Sequence, residues 1–293
     1  MKQIAIIGTT ASGKSALSIE VALKTDSIIL SLDSLSVYKE IDIASAKPTK
    51  DEMQGILHFG IDVVYPSYQF GIMDFIDCYN EAYHYALTHN KNLIITGGSS
   101  FYLKSLIDGL SINEYPTTNQ KIDISHQEAY DMLVEIDPTY MLKIDKNDTY
   151  RIEKAYNIYK SSNMSPSLFF ENYKKIPIIK DIDIFEIEWD IELLRQRINL
   201  RTIKMIEDGL IDEVIYLEKK YPRNLNSMKS IGIIETLDYL DGKSTKKELL
   251  DLISIHTAQL AKKQRTFNKT QLPTHTKDSL SNIKKAIFKN FLV

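Results

Sequence analysis

Apolar positions in the first hundred residues gather into short unbroken runs. IAII at 4–7, SIILSL at 27–32 and NLIIT at 92–96 are rich in isoleucine and of strand length, the pattern of strands buried on both faces. Between them the apolar spacing widens to the three-and-four rhythm of helices, first over Gly13–Leu23. Strands alternating with helices predict an α/β fold, a parallel sheet covered by helices with ligands gathered at the carboxyl ends of the strands. The strands are placed at Lys2–Ile7, Ser27–Leu32 and Asn92–Thr96. They run out into polar or glycine-rich loops at 8–15, 33–39 and 97–102, which are expected to converge on one crevice.

After Gly109 the rhythm changes. HQEAYDMLVEI and YRIEKAYNIYKSSN repeat at helical spacing, and DKND signals a turn. Residues 113–177 therefore read as a mainly helical insertion in a core formed by 1–112 and 178–293. Strand character returns at Ile184–Trp189, and long helices are expected over 191–207, 210–220 and about 246–268.

Composition bounds this picture. The chain has 293 residues, 43% hydrophobic and 26% charged, enough for a sizeable globular core. No apolar run nears the roughly 18 residues of a membrane span, and MKQIAIIG is too short an opening for a leader peptide. A cytoplasmic protein is expected, with no sign of an obligate protein partner. Cys78 stands alone, which excludes an intrachain disulfide and any cysteine-pair metal site. A net charge of −3 does not mark a nucleic-acid binder. Beyond Ile255, however, Lys262, Lys263, Arg265, Lys269, Lys277, Lys284, Lys285 and Lys289 are set against Asp278 alone. That end of the chain is either a solvated helical face or a surface that meets phosphates.

The chemistry begins at the first loop. Gly8, Thr9, Thr10, Ala11, Ser12, Gly13, Lys14 and Ser15 match G-x-x-x-x-G-K-[ST] at every fixed position, after a strand and before a helix. Glycines allow a tight turn whose N–H groups face an oxyanion, and the helix start adds its dipole. Lys14 brings a point charge, and Ser15 can ligate Mg²⁺. The motif specifies a polyphosphate, not its fate: a small-molecule or nucleotide kinase and a transferase that expels diphosphate both need this cradle. Asp33, at the end of the second strand, can ligate Mg²⁺, take a proton from an acceptor, or simply cap a turn. No arginine-rich lid of the kind kinases use is evident, and a helical insertion with a basic C-terminal part suits a large substrate. A non-catalytic RNA-binding module is a third reading, at odds with an intact phosphate loop beside Asp33.

GTTASGKS, DSLSVYKEIDIASAKPT and TGGSSFYLKSLIDGLS together resemble the tRNA dimethylallyltransferase (tRNA isopentenyltransferase) family. DKNDTYRIEKAYNIY, RQRINLRTIKMIEDGLIDEV, SMKSIGIIETLDYLDG and TAQLAKKQRTFNK continue the resemblance, in order, over nearly the whole chain. It implies transfer of a dimethylallyl group from dimethylallyl diphosphate to N6 of adenine 37, beside the anticodon of tRNAs reading codons that begin with U. By the same resemblance Asp33 is the general base. Loop residues 8–15 and Arg197 hold the diphosphate, with Mg²⁺ at Ser15. Asp33, Ser34, Leu35, Ser36, Ser99, Lys121 and Arg151 meet the tRNA anticodon stem-loop. The chain departs from the family strings where Thr9 replaces proline, Ser36 glutamine, Ser99-Ser100-Phe101 Thr-Gly-Leu, Ile233 tyrosine and Phe267 tryptophan.

Overall fold

The isoleucine-rich runs lie at the centre of a six-stranded parallel sheet. The computed structural model describes residues 1–111, 122–173 and 175–291. In chain order the first elements are β1 (Gln3–Gly8), α1 (Lys14–Thr25), β2 (Ser27–Leu32), α2 (Lys50–Met53), β3 (His58–Phe59), α3 (Ile72–Thr88), β4 (Asn92–Gly97) and α4 (Ser100–Asp108). Next come β5 (Leu110–Ser111), α5 (His126–Ile136), α6 (Pro138–Met141), α7 (Thr149–Ser162), α8 (Pro166–Asn172) and β6 (Lys175–Ile176). The chain ends with β7 (Asp183–Ile187), α9 (Ile191–Glu207), α10 (Leu210–Lys220), α11 (Ile233–Leu240), α12 (Lys246–Gln271), β8 (Thr276–Asp278) and α13 (Leu280–Phe291).

Two compact units divide the chain: Met1–Lys104 together with the segment from Asp181 on, and Ser105–Lys180. The larger holds the sheet in the order β3-β2-β4-β1-β7-β8, every pair parallel. Ile4, Ile6, Ile29 and Ile94 are fully buried under α1 and α13, in a core completed by Leu17, Val21, Phe185, Ile283 and Ile287. The central strands are those the sequence marks. The edge strands β3 and β8 have two and three residues, and β8 (TKD) is exposed throughout, so neither carries an apolar pattern to read. β7 begins at Asp183 and ends at Ile187, two residues short of the expected Trp189.

A second core in this unit lies under α9–α12. Val37, Ile41, Met205, Leu210, Val214, Ile233, Leu249 and Ile253 pack there. This core seats the segment after β2, where Val37 and Ile41 are buried with no regular helix or strand around them.

Among the described residues the smaller unit is an antiparallel β5–β6 pair with helices α5–α8. Ala129, Leu133, Met141, Ile144, Ile152 and Tyr156 form its core. Its helices start on capping side chains: Ser125 with Glu128 in a reciprocal box, Asp137, Asp148 and Ser165. Buried Asp137 also accepts from the Ser167 N–H at 2.6 Å and the Ser167 hydroxyl at 3.0 Å.

Candidate active site

β1, β2 and β4 point the same way, so their carboxyl ends share one edge of the sheet and bring the three loops together. They border a cavity of about 660 Å³, closed by α9, α12 and residues 229–231.

The phosphate loop is held from outside. Gly13 sits at φ +89°, a conformation L side chains rarely adopt, and it lets the chain turn into α1 with that helix's first N–H groups open. Ala11 is also left-handed, at φ 61°. Carbonyls that would repel an anion are engaged elsewhere. Thr9 O accepts from Ser12 N and from Lys14 Nζ (3.2 and 3.1 Å), Ala11 O from Arg197 Nε (2.7 Å), and Ser12 O from Trp189 Nε1 (2.9 Å). Arg197 also stacks on the Trp189 ring, 4.5 Å from its centroid. Asp190 caps α9 through the N–H groups of Glu192 and Leu193, which sets Trp189 and Arg197 beside the loop.

Of the expected phosphate ligands, Thr10, Lys14 and Ser15 reach the cavity wall, while Gly8, Thr9, Ala11, Ser12 and Gly13 shape the turn. Arg197 braces the back of the loop, and the arginine on the cavity wall is Arg201, one helical turn on, donating to Thr10 Oγ1 at 2.9 Å. Arg201 went unmarked in the sequence although it stands four residues from Arg197 on one helix; the spacing was legible, its direction was not. Gln264 lies in the TAQLAKKQRTFNK string, which gives it no role of its own. Its Oε1 accepts the Thr10 N–H at 2.9 Å and its Nε2 donates to Gly98 O at 3.1 Å, so one side chain ties the phosphate loop to the loop after β4.

Electrostatically the site is a cation pair facing a carboxylate. Burial lowers the Lys14 ammonium to about 8, with the Arg201 charge pushing the same way and Asp33 opposing both. Arg201 is likewise lowered by burial and supported by Asp33. Two cations held this close, and short of solvent, favour an anion between them.

Asp33 follows β2. Its Oδ1 accepts the N–H groups of Leu35 and Ser36, at 2.8 and 3.2 Å, which fixes the carboxylate at the loop's head. Among the described residues Oδ2 has no hydrogen-bond partner, and it remains available to an acceptor group. Ser34, Leu35, Ser36 and Ser99 join Asp33 on the cavity wall. Ser99 Oγ accepts the Ser34 N–H at 3.2 Å, linking the second and third loops. Gly97 makes that approach possible, since a Cβ there would stand 2.1 Å from Leu32 O. Downstream, Glu213 accepts the N–H groups of Asp42, Ile43 and Ala44 at 2.8, 2.7 and 2.9 Å. Lys47, its side chain nearly buried, binds Tyr38 O, Asp42 and Asp62.

Arg151 lies in the smaller unit on α7, exposed and paired with Asp148 at 2.8 Å. Lys121 falls outside the described residues. No cluster of three His, Cys, Asp or Glu side chains is placed to hold a metal ion among the described residues, and none of their helices is long and apolar enough to cross a membrane.

A strand-loop-helix phosphate cradle facing a carboxylate across one cavity defines a group-transfer enzyme of the phosphate-loop class. The IPP transferase family model matches residues 36–271, and the chain belongs to that family. It is similar to a tRNA dimethylallyltransferase of Aliarcobacter butzleri, 57% identical over 293 residues with both chains fully covered. One of Sulfurimonas denitrificans is 51% identical over 279 residues, 94% of each chain. Among solved structures, a eukaryotic dimethylallyltransferase described as acting on tRNA superimposes with a TM-score of 0.83 at 25% identity, covering 100% of this chain and 80% of that one. The tRNA isopentenylpyrophosphate transferase of Bacillus halodurans gives 0.73 at 27%, covering 99% and 97%.

Proposed function

We propose that this chain transfers a dimethylallyl group from dimethylallyl diphosphate to N6 of adenine 37 in tRNA and releases diphosphate. The observation that carries this reading is the single cavity in which the Asp33 carboxylate faces Lys14 and Arg201 above the phosphate loop.

In this reading Lys14, Arg201 and the open N–H groups at the start of α1 hold the diphosphate and take up the charge that grows on it as the C1–O bond breaks. Asp33 Oδ2 accepts the N6 proton as the N6–C1 bond forms, while Oδ1 stays fixed by Leu35 and Ser36. An exocyclic amine is a weak nucleophile, so a carboxylate oriented on its proton is what the step requires. The target base must leave its stack to enter the cavity, and Ser34, Ser36 and Ser99 offer hydroxyls to it.

Mg²⁺ suits the donor set. Ser15 is an exposed hydroxyl on the cavity wall, and Mg²⁺ is commonly held by one or two protein oxygens, substrate phosphates and waters rather than by a protein cage. When bound there it would neutralise charge on the leaving diphosphate. Arg151 and Lys121, with basic residues of α12 such as Lys262 and Lys269, are the proposed contacts to the anticodon stem-loop. We place the reaction in the cytoplasm.

The test is incubation with labelled dimethylallyl diphosphate, Mg²⁺ and unmodified tRNA carrying three adenines from the last anticodon position onward. Label on the adenine next to the anticodon is the expected result. No label, together with phosphoryl transfer from ATP to a small acceptor, would assign the cavity to a kinase.

A further inference from the structure

Away from its charged end the cavity wall between α9 and α12 becomes apolar. α9 presents Ile198, Arg201, Thr202 and Met205 to it, at the three- and four-residue spacing that stacks side chains on successive turns. α12 runs alongside in the opposite direction: Ile198 clusters with Ala261, whereas Met205 clusters with Ile253. The groove between them therefore has a polar end, where Arg201 and Gln264 bind Thr10, and an apolar end at Met205 and Ile253.

Met205 stands at the apolar end. It is 9% exposed and belongs both to the cavity wall and to the packed cluster of Ile41, Leu210, Val214 and Ile233 behind it. Its tip lies against Gly232, with Leu210 beside it. A Cβ built on Gly232 would stand 3.7 Å from Met205 Cε and 3.8 Å from Ala44 Cβ, so the methionine's own methyl fills the space. Arg201 and Met205 are four residues apart, ~6 Å along the helix axis. That is the reach of one five-carbon isoprene unit and short of two.

We propose that Met205 sets the length of the allylic donor. With the diphosphate at Lys14 and Arg201, the hydrocarbon lies along Thr202 and ends on the Met205 side chain, which excludes a ten-carbon chain. This rests on the donor reading above. The chemistry is the same for either donor: C1–O breaks, N6–C1 forms, the N6 proton passes to Asp33 and diphosphate departs.

The experiment is a competition in one tube, with equal dimethylallyl and geranyl diphosphate, tRNA and Mg²⁺, scored by the mass of the modified nucleoside. The product ratio does not depend on the fraction of enzyme folded. Wild type is expected to make the five-carbon product. Met205→Ala should raise the geranyl-to-dimethylallyl ratio at least about tenfold, the discrimination that a methylene's worth of pocket gives. Met205→Val, a smaller cut for the event that the alanine variant does not fold, should raise it less, and Met205→Leu should keep the wild-type ratio. A ratio unchanged in every active shortened variant overturns the role of Met205 and leaves the donor reading standing. Wild-type enzyme that transfers neither group overturns both.

Discussion

The two loops that face each other across the cavity share long-range bracing but differ in what sets their shape. The phosphate loop is short and takes its form from backbone: glycine at φ +89°, alanine at φ 61°, and a helix start. The segment after β2 is long and irregular and takes its form from charge. Glu213, some 170 residues away in sequence, gathers three consecutive N–H groups, and nearly buried Lys47 bridges a carbonyl and two carboxylates. The cradle for a fixed anion takes its turn from local backbone and is then braced from outside by Arg197, Trp189 and Gln264. The loop proposed to receive the target base draws more of its scaffolding from elsewhere in the fold.

Removing the charge from the first loop gives the largest effect. Lys14→Ala should abolish transfer while tRNA binding, measured by filter retention, stays near wild type; near-normal turnover would mean that the diphosphate lies elsewhere. On the facing loop, Asp33→Ala should lower turnover by about 10²–10⁴-fold, the range for loss of a general base. Retained rate would reassign Asp33 to holding the Leu35–Ser36 turn. Glu213→Ala attacks the scaffold instead and should cost about 1–3 kcal/mol in denaturant unfolding. It should also raise KM for tRNA more than KM for the diphosphate, and equal increases would dissolve the distinction between the loops. The smallest effect is a pH dependence. The free Lys14 ammonium sits at about 8 and binds the diphosphate only when protonated. Affinity should therefore hold below pH 8 and decline above it, by at most about tenfold per pH unit, with proton uptake on binding. Titration calorimetry across pH 7–9.5 reads this directly, and Lys14→Arg should flatten the decline.

The central sheet and the phosphate loop were legible because both are written locally, in apolar runs and in glycine spacing. Asp33 was legible by its place at the end of β2. The supports were not. Gln264 and Glu213 act on residues far away in sequence, and nothing in LAKKQRT says which residue turns inward. Arg201 shows the limit best. Arg197 and Arg201 were both visible on one helix, yet only the packing of Trp189 beneath Arg197 decides that Arg197 braces the loop and Arg201 faces the cavity.

The outward ties on Thr10, Ala11 and Ser12 make the phosphate loop a mould set before anything is poured into it. A mould of this kind is indifferent to what hangs from the phosphates. Selection of cargo therefore falls to the rest of the cavity wall, to Met205 further along α9 and to Asp33 and Ser99 on the facing loops.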